Sequence, residues 1–107
     1  TMITVTVLKK DGEFNKIESR GHAGFAEKGQ DIICAAVSAL MVNAVNSIDT
    51  FTEDIIHVSS EEGYLSLEFI VGPSKDSKLL IDSLMLGLSQ IQDSYDRAYL
   101  KVLVREV

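Results

Sequence analysis

The sequence has little cysteine, little positive charge and no long apolar run, and each shortage argues against a class of protein. Its one cysteine, Cys34, cannot form an internal disulfide, which favours a reducing compartment such as the cytoplasm. Ten basic residues against 16 acidic ones leave a net charge of −6, so nucleic acid phosphates are not the expected ligand. The longest nearly apolar run, 32–42, is far shorter than the roughly 20 residues of a membrane span. We therefore expect a cytoplasmic protein that binds neither nucleic acid nor membrane directly.

The composition is that of a globular protein, with 46% hydrophobic and 24% charged residues in a chain of 107. This length suits one domain and is too short for two ordinary ones. The sequence shows no internal repeat, low-complexity tract or linker. We expect a single domain over residues 1–107.

Local patterns predict a first β-hairpin near the N-terminus. Residues 2–9 alternate β-branched and other apolar side chains, and Asp11-Gly12 provides the residue pair of a tight turn. The return strand over 13–20 is less regular, because Phe14 and Ile17 are out of phase. This irregularity predicts a bulge or an edge position.

The rest of the chain extends the predicted order to ββαββαβ. Apolar residues recur every three or four positions over 32–48 and 75–97, which is typical of helices with one buried face. Short strands are predicted at 55–59, 64–71 and 99–104. Two helices packed on a mixed or antiparallel sheet would bury these faces, which makes the fold α+β. Strand order does not follow from local patterns.

The segment over 21–31 contains three glycines and no apolar period, which is typical of a mobile loop. These glycines are Gly21, Gly24 and Gly29. Functional residues are concentrated in such loops.

Cys34 lies just after this loop, at the third position of the predicted helix if Asp31 is the N-cap. Free amides and the positive dipole end of a helix favour a thiolate, which is the nucleophilic form of cysteine. His22 lies 12 residues earlier, within reach if the loop folds back. A Cys-His pair would supply a nucleophile and a general acid, and helix-start amides would hold an oxyanion.

Each of these residues also has a purely structural interpretation. Cys34 is either a nucleophile or a small core residue, since free cysteines are often buried. Ser38, one turn further on, either shares the face of Cys34 or is an ordinary helix hydroxyl that bonds to the preceding turn. Asp31 either orients His22 or only caps the helix.

Other candidate residues show weaker evidence of a catalytic or ligand-binding role. His57 sits in a short strand without a partner cysteine or histidine, so a structural role is expected. Glu61-Glu62 is interpreted as a solvated turn. The glycines do not form a phosphate-binding loop, because the Gly-Lys-Ser/Thr ending is absent. We expect neither a metal nor a cofactor.

The string over 21–39, from Gly-His through Asp-Ile-Ile-Cys-Ala-Ala-Val-Ser, resembles the signature of the bacterial ribosomal-processing cysteine protease family Prp, or YsxB-like family. The spacing of Gly-His, eight residues and Asp-Ile-Ile-Cys-Ala-Ala-x-Ser is far more specific than one Cys and one His. The predicted element order also agrees with that family over its whole length.

The resemblance implies an endopeptidase that removes a short N-terminal extension from the precursor of large-subunit ribosomal protein L twenty-seven. It implies Cys34 as nucleophile, His22 as its partner, and Asp31 and Ser38 as supporting residues. It further implies cleavage after an aromatic residue in an apolar segment, a loop that moves when substrate binds, and a homodimer in a bacterial cytoplasm.

Alternative functions remain open from the sequence alone. A ribosome-assembly binding module would bind the same apolar segment of the precursor without cleaving it. Redox chemistry at Cys34 lacks a second cysteine in the chain to resolve it. An acidic α+β domain with a core cysteine is the purely structural alternative.

Overall fold

The computed structural model describes residues 3–21, 28–94 and 99–107, with the backbone alone for 28–31. The element order is ββαββαβ, and two helices pack against a five-stranded mixed sheet. The predicted α+β class is therefore confirmed. The elements are β1 (Ile3–Lys10), β2 (Glu13–Arg20), α1 (Lys28–Phe51), β3 (Ile55–Glu61), β4 (Tyr64–Val71), α2 (Lys75–Ser94) and β5 (Leu100–Glu106).

The five strands form one sheet in the order β3-β4-β2-β1-β5. Three neighbouring pairs, β3–β4, β4–β2 and β2–β1, are antiparallel. The fourth pair is parallel and joins the two ends of the chain, with Val5 opposite Val102. The strands β3 and β5 therefore form the two edges of the sheet.

The first hairpin has the predicted turn and the predicted irregularity. Asp11 and Gly12 have φ angles of 53° and 77°, as a tight two-residue turn requires. The register between β1 and β2 shifts at Leu8/Lys9, which is the expected bulge. The bounds of β2 and β4 are those predicted, although Phe14 and Ile17 are out of phase in β2.

One face of the sheet packs against both helices to form the core. The strands contribute fully buried side chains such as Val5, Ile17 and Leu67, each with no exposed surface. Burying such a side chain contributes roughly 1.5–3 kcal/mol to folding. The helices contribute the residues at their predicted three- and four-residue spacing: Ile33, Val37, Met41, Ala44 and Ile48 on α1, and Ile81, Leu84 and Leu88 on α2.

The segment Ile32–Phe51 of α1 also has the length and composition of a possible membrane span, with 20 residues and a mean hydropathy of 1.6. Core helices of globular proteins share these properties. In this fold the buried residues of α1 pack against the sheet and α2.

The helix α1 begins at Lys28, before the predicted start at Ile32, and this corrects three predictions. Asp31 is the fourth helical residue and not the N-cap. Gly29 lies in the first turn and not in the loop. Cys34 is the seventh helical residue and not the third. The apolar period revealed only the part of the helix that is buried, and one glycine costs a helix only about 1 kcal/mol.

Other boundaries differ by smaller amounts. The strand β3 continues through Glu61, β5 continues through Glu106, and α1 continues to Phe51. The helix α2 is described to Ser94, so the last residues predicted for it, 95–97, lie outside the described part of the chain.

Candidate active site

Cys34 is half-buried on α1 and lines a pocket of about 220 Å³. Ser38 and Val42 follow it at four-residue steps, so the three side chains share one face of the helix. The opposite walls come from the end of β2 and from the hairpin of β3 and β4. These walls are formed by Ser19, Gly21, Ser60, Glu61, Gly63, Tyr64 and Leu65.

A backbone hydrogen bond closes the sheet beside this pocket. The N–H of Gly21 donates to the carbonyl of Gly63 at 2.9 Å. The φ angles of Gly21 and Gly63 are 115° and 72°, a region that L side chains rarely adopt. The bond therefore fixes the point where the chain leaves β2 and enters residues 22–27.

A second cavity, of about 470 Å³, opens beside the first and shares Gly21, Glu61, Gly63 and Tyr64 with it. Tyr64 is held there by two contacts. Its hydroxyl donates to Glu18 Oε2 at 3.0 Å, and the Arg20 guanidinium lies 4.7 Å from the ring centroid. Such a cation–π contact contributes about 0.5–1 kcal/mol at an exposed site.

The structure brings together Cys34, Ser38 and Gly21 among the predicted site residues. Ser38 is exposed and makes no side-chain hydrogen bond to any described residue, so the predicted alternative of a bond to the preceding turn is not observed. His22, Gly24 and the side chain of Asp31 lie outside the described residues. The Cys-His pair and the mobile loop therefore stay predictions.

The predicted activation of Cys34 by free amides at a helix start is wrong. The unpaired amides of a helix belong to its first four residues, which here are 28–31. The amide of Cys34, at the seventh position, lies in the hydrogen-bonded part of α1, and the dipole effect decreases within the first turn. Neither the sulfur nor an oxyanion beside it receives free amides from α1 at this position.

Glu61 was interpreted as part of a solvated turn and is indeed exposed, but it also lines both cavities. Ser60 and Tyr64 carried no signal in the sequence, because only the packing of the hairpin against α1 brings them to Cys34. The helical spacing of Cys34, Ser38 and Val42 could have identified Val42. His57 is exposed opposite Glu68, as a structural strand residue would be. Within 3–21, 28–94 and 99–107, no group of three or more metal-ligating side chains occurs.

A family model described as cysteine protease Prp matches residues 2–100. This chain belongs to the Prp family. It is therefore a cysteine protease, and the sequence resemblance at 21–39 is confirmed.

Individual relatives support the assignment to the Prp family. The chain is 34% identical over 101 residues to the ribosomal processing cysteine protease Prp of Bacillus subtilis, covering 88% of this chain and 90% of the relative. It superposes on SMU.848 from Streptococcus mutans with a TM-score of 0.89 and 26% identity, over 100% and 97% of the two chains. Staphylococcus aureus Prp bound to a substrate peptide shares the fold, with a TM-score of 0.88 and 23% identity over 96% and 99%.

Proposed function

We propose that this Prp-family protease removes a short N-terminal extension from the precursor of ribosomal large-subunit protein L twenty-seven, with Cys34 as nucleophile and His22 as its partner. The observation that carries the proposal is the pocket that Cys34 shares with Gly21, the residue directly before His22. Cys34 is the only cysteine in the chain, so a cysteine protease has no other nucleophile here. The name of the Bacillus subtilis relative supports a ribosomal substrate.

In the proposed reaction, the Cys34 thiolate attacks the carbonyl carbon of the scissile peptide bond. The C–N bond then breaks, and the His22 imidazolium gives its proton to the leaving amine. A water molecule, deprotonated by the same imidazole, hydrolyses the thioester and releases the acyl fragment and Cys34. One water is consumed for each peptide bond cut.

Supporting roles follow from position in the pocket. The Ser38 hydroxyl lies in the same pocket as Cys34 and is free to bind a carbonyl oxygen of the substrate. Asp31 lies one helical turn before Cys34, and we propose that it orients His22, since its place inside α1 removes the capping role.

The proposed setting is a bacterial cytoplasm, with a homodimer as the working form. Leu79 and Leu86 on α2 are 68% and 61% exposed, and two large apolar side chains on one helix suit contact with a second copy. Light scattering should give twice the chain mass, and Leu86→Ser should lower it. A native protein with the mass of one chain would contradict the dimer.

The first test is intact-mass analysis of the extended precursor after incubation with the native protein, Cys34→Ser or His22→Ala. We expect loss of one defined N-terminal fragment with the native protein and none with Cys34→Ser. A stable complex with uncut precursor in every sample would instead favour the binding module. Cleavage at unrelated sites but not at the extension would support the protease activity and contradict the proposed substrate.

A further inference from the structure

The strand β3 has an edge to which no strand in the described part of the chain is bonded. Its last residues, Ser60 and Glu61, line the pocket that contains Cys34. An extended chain bonded to this edge would therefore run directly into the reaction site. The opposite edge, β5, lies four strands away, at about 4.8 Å per strand.

The direction of the backbone groups on β3 follows from the sheet register. The Gly63 carbonyl accepts from Gly21, and so points towards β2. Backbone groups alternate in direction along a strand, so those of Tyr64 and Ser66 point towards β3. Their partners on β3, Glu61 and Ser59, therefore point inward.

The intervening residues of β3 must then direct their N–H and C=O groups to the free edge. These are Ile56, Val58 and Ser60. Their side chains lie on the helix face of the sheet, because their partners Phe69, Leu67 and Leu65 belong to the core side. These three residues therefore direct their backbone groups to the free edge and their side chains to the face of the sheet on which the Cys34 pocket lies.

The groove between α1 and β3 has an apolar surface suited to substrate side chains. Val42 on α1 lines the Cys34 pocket and is 48% exposed. Val58 on β3, two residues before Ser60, is 39% exposed on the facing side. Large apolar side chains left open next to a reaction pocket are typical of a peptide-binding groove.

We infer that the substrate peptide binds as an added strand on the free edge of β3, with alternate apolar side chains in the groove between α1 and β3 and the scissile bond at Cys34. This inference rests on the proposed function and adds how the substrate is recognised. Main-chain hydrogen bonds to Val58 and Ser60 hold the peptide, and Val42 and Val58 select apolar side chains.

The direct test uses synthetic peptides that span the proposed cleavage site, each carrying one N-methyl group on its backbone. Binding to the Cys34→Ala protein is measured by fluorescence anisotropy, so that no cleavage intervenes. Blocking a bonded N–H should weaken binding about fivefold or more, which corresponds to one hydrogen bond of about 1 kcal/mol. The loss should recur at every second residue on one side of the scissile bond. Equal loss at all positions, or at none, would overturn the inference.

A matched pair of protein variants tests the same edge. Val58→Pro removes an N–H of β3 that points to the free edge. On β5 the N–H of Val107 donates inward to the Lys9 carbonyl, so by alternation the N–H of Val104 points outward, and Val104→Pro removes the corresponding group there. Both valines are exposed edge residues. We expect the KM of Val58→Pro to rise at least about fivefold with little change in kcat, and Val104→Pro to resemble the native protein. Val58→Thr, which keeps the N–H, should retain most of the affinity.

The outcomes separate this inference from the proposed function. If the native protein does not cut the unmodified peptide, the proposed function fails. If it cuts the peptide while N-methylation shows no alternation and the two proline variants behave alike, only the added strand is rejected. A change of molar mass in Val58→Pro with unchanged peptide affinity would assign the edge to a second copy of the chain and overturn the inference.

Discussion

The N–H of Gly21 donates to the carbonyl of Gly63 at 2.9 Å, and this bond joins the end of β2 to the turn between β3 and β4. Residue 22 follows directly, and both glycines line the pocket of Cys34. The backbone position of Gly21, directly before His22, is therefore fixed by a hairpin that lies more than 40 residues later in the chain. Both ends of this bond have positive φ angles, which glycine adopts readily and other residues rarely adopt.

Replacing Gly63 should therefore affect stability and activity together. Gly63→Ala places a Cβ at a φ of 72°, which should cost about 1 kcal/mol of unfolding free energy and displace the carbonyl that holds Gly21. We expect kcat/KM to fall severalfold.

The matched control is Gly12→Ala in the other hairpin, with a φ of 77° and no atom within 4 Å of the added Cβ. It should lose similar stability in urea unfolding and keep native kcat/KM. If both variants retain full activity, the turn does not position the site.

The single cysteine allows the proposed pair to be tested by alkylation. Cys34 should react with iodoacetamide at pH 7 faster than an ordinary thiol, because a neighbouring imidazolium favours the thiolate. His22→Ala should slow the reaction by about tenfold, and the difference should disappear near pH 10, where ordinary thiols are ionised. Mass spectrometry gives the rate on one site.

His57→Ala is the control for this measurement, since His57 is the other histidine of the chain and is exposed on β3. Its alkylation rate should equal that of the native protein. An unchanged rate in His22→Ala at pH 7 would remove His22 from the proposed pair.

Asp54 should make the fold sensitive to acid. Its carboxylate accepts bonds from the N–H and hydroxyl of Ser74, at 2.8 and 2.7 Å, just before α2. Burial raises the pKa of Asp54, but hydrogen bonds from Ser77 and Ser74 lower it more, so the pKa lies below its ordinary value of 3.8. A carboxylate with a lowered pKa stabilises the fold above its ordinary pKa, and this stability is lost as the pH falls through the folded value.

Asp54→Asn should therefore cost about 1 kcal/mol at pH 7, and the difference from the native protein should shrink towards pH 3. Urea unfolding at several pH values measures it. Glu53→Gln, at the exposed neighbouring residue, should show no such trend. A difference that stays constant down to pH 3 would refute the role of the Asp54 carboxylate.

Charge should influence substrate capture. The chain carries a net charge of −6, and a ribosomal precursor is strongly basic, so their encounter should be favoured electrostatically. We expect kcat/KM for the precursor to fall as salt rises, since the Debye length shortens to about 8 Å at physiological ionic strength. A short peptide with its basic flanks replaced by serine should lose this dependence. Turnover of the whole precursor that is independent of salt would reject steering.

Much of the local structure was predictable because its causes lie close together in the chain. Asp11-Gly12 fixes a turn through its own backbone preferences, and the alternation of side chains between two turns predicts β4. The start of α1 was not predictable in this way, because apolar periodicity reports burial and Lys28 to Asp31 precede the buried face. The stabilisation of a Cys34 thiolate by free helix amides was predicted from that start, and it does not apply at the seventh helical position.

The sequence by itself determined the element order, the two hairpins, and Cys34 as the one cysteine, since turn chemistry, side-chain period and composition are local or countable. Only the tertiary structure decided that β1 pairs with β5 in parallel, that β2 lies between β1 and β4, and that Gly63 meets Gly21. These contacts join residues far apart in the chain, and their free energy comes from burying a shared core rather than from any neighbouring pair. The pocket around Cys34, and the free edge of β3 beside it, exist only because of that pairing.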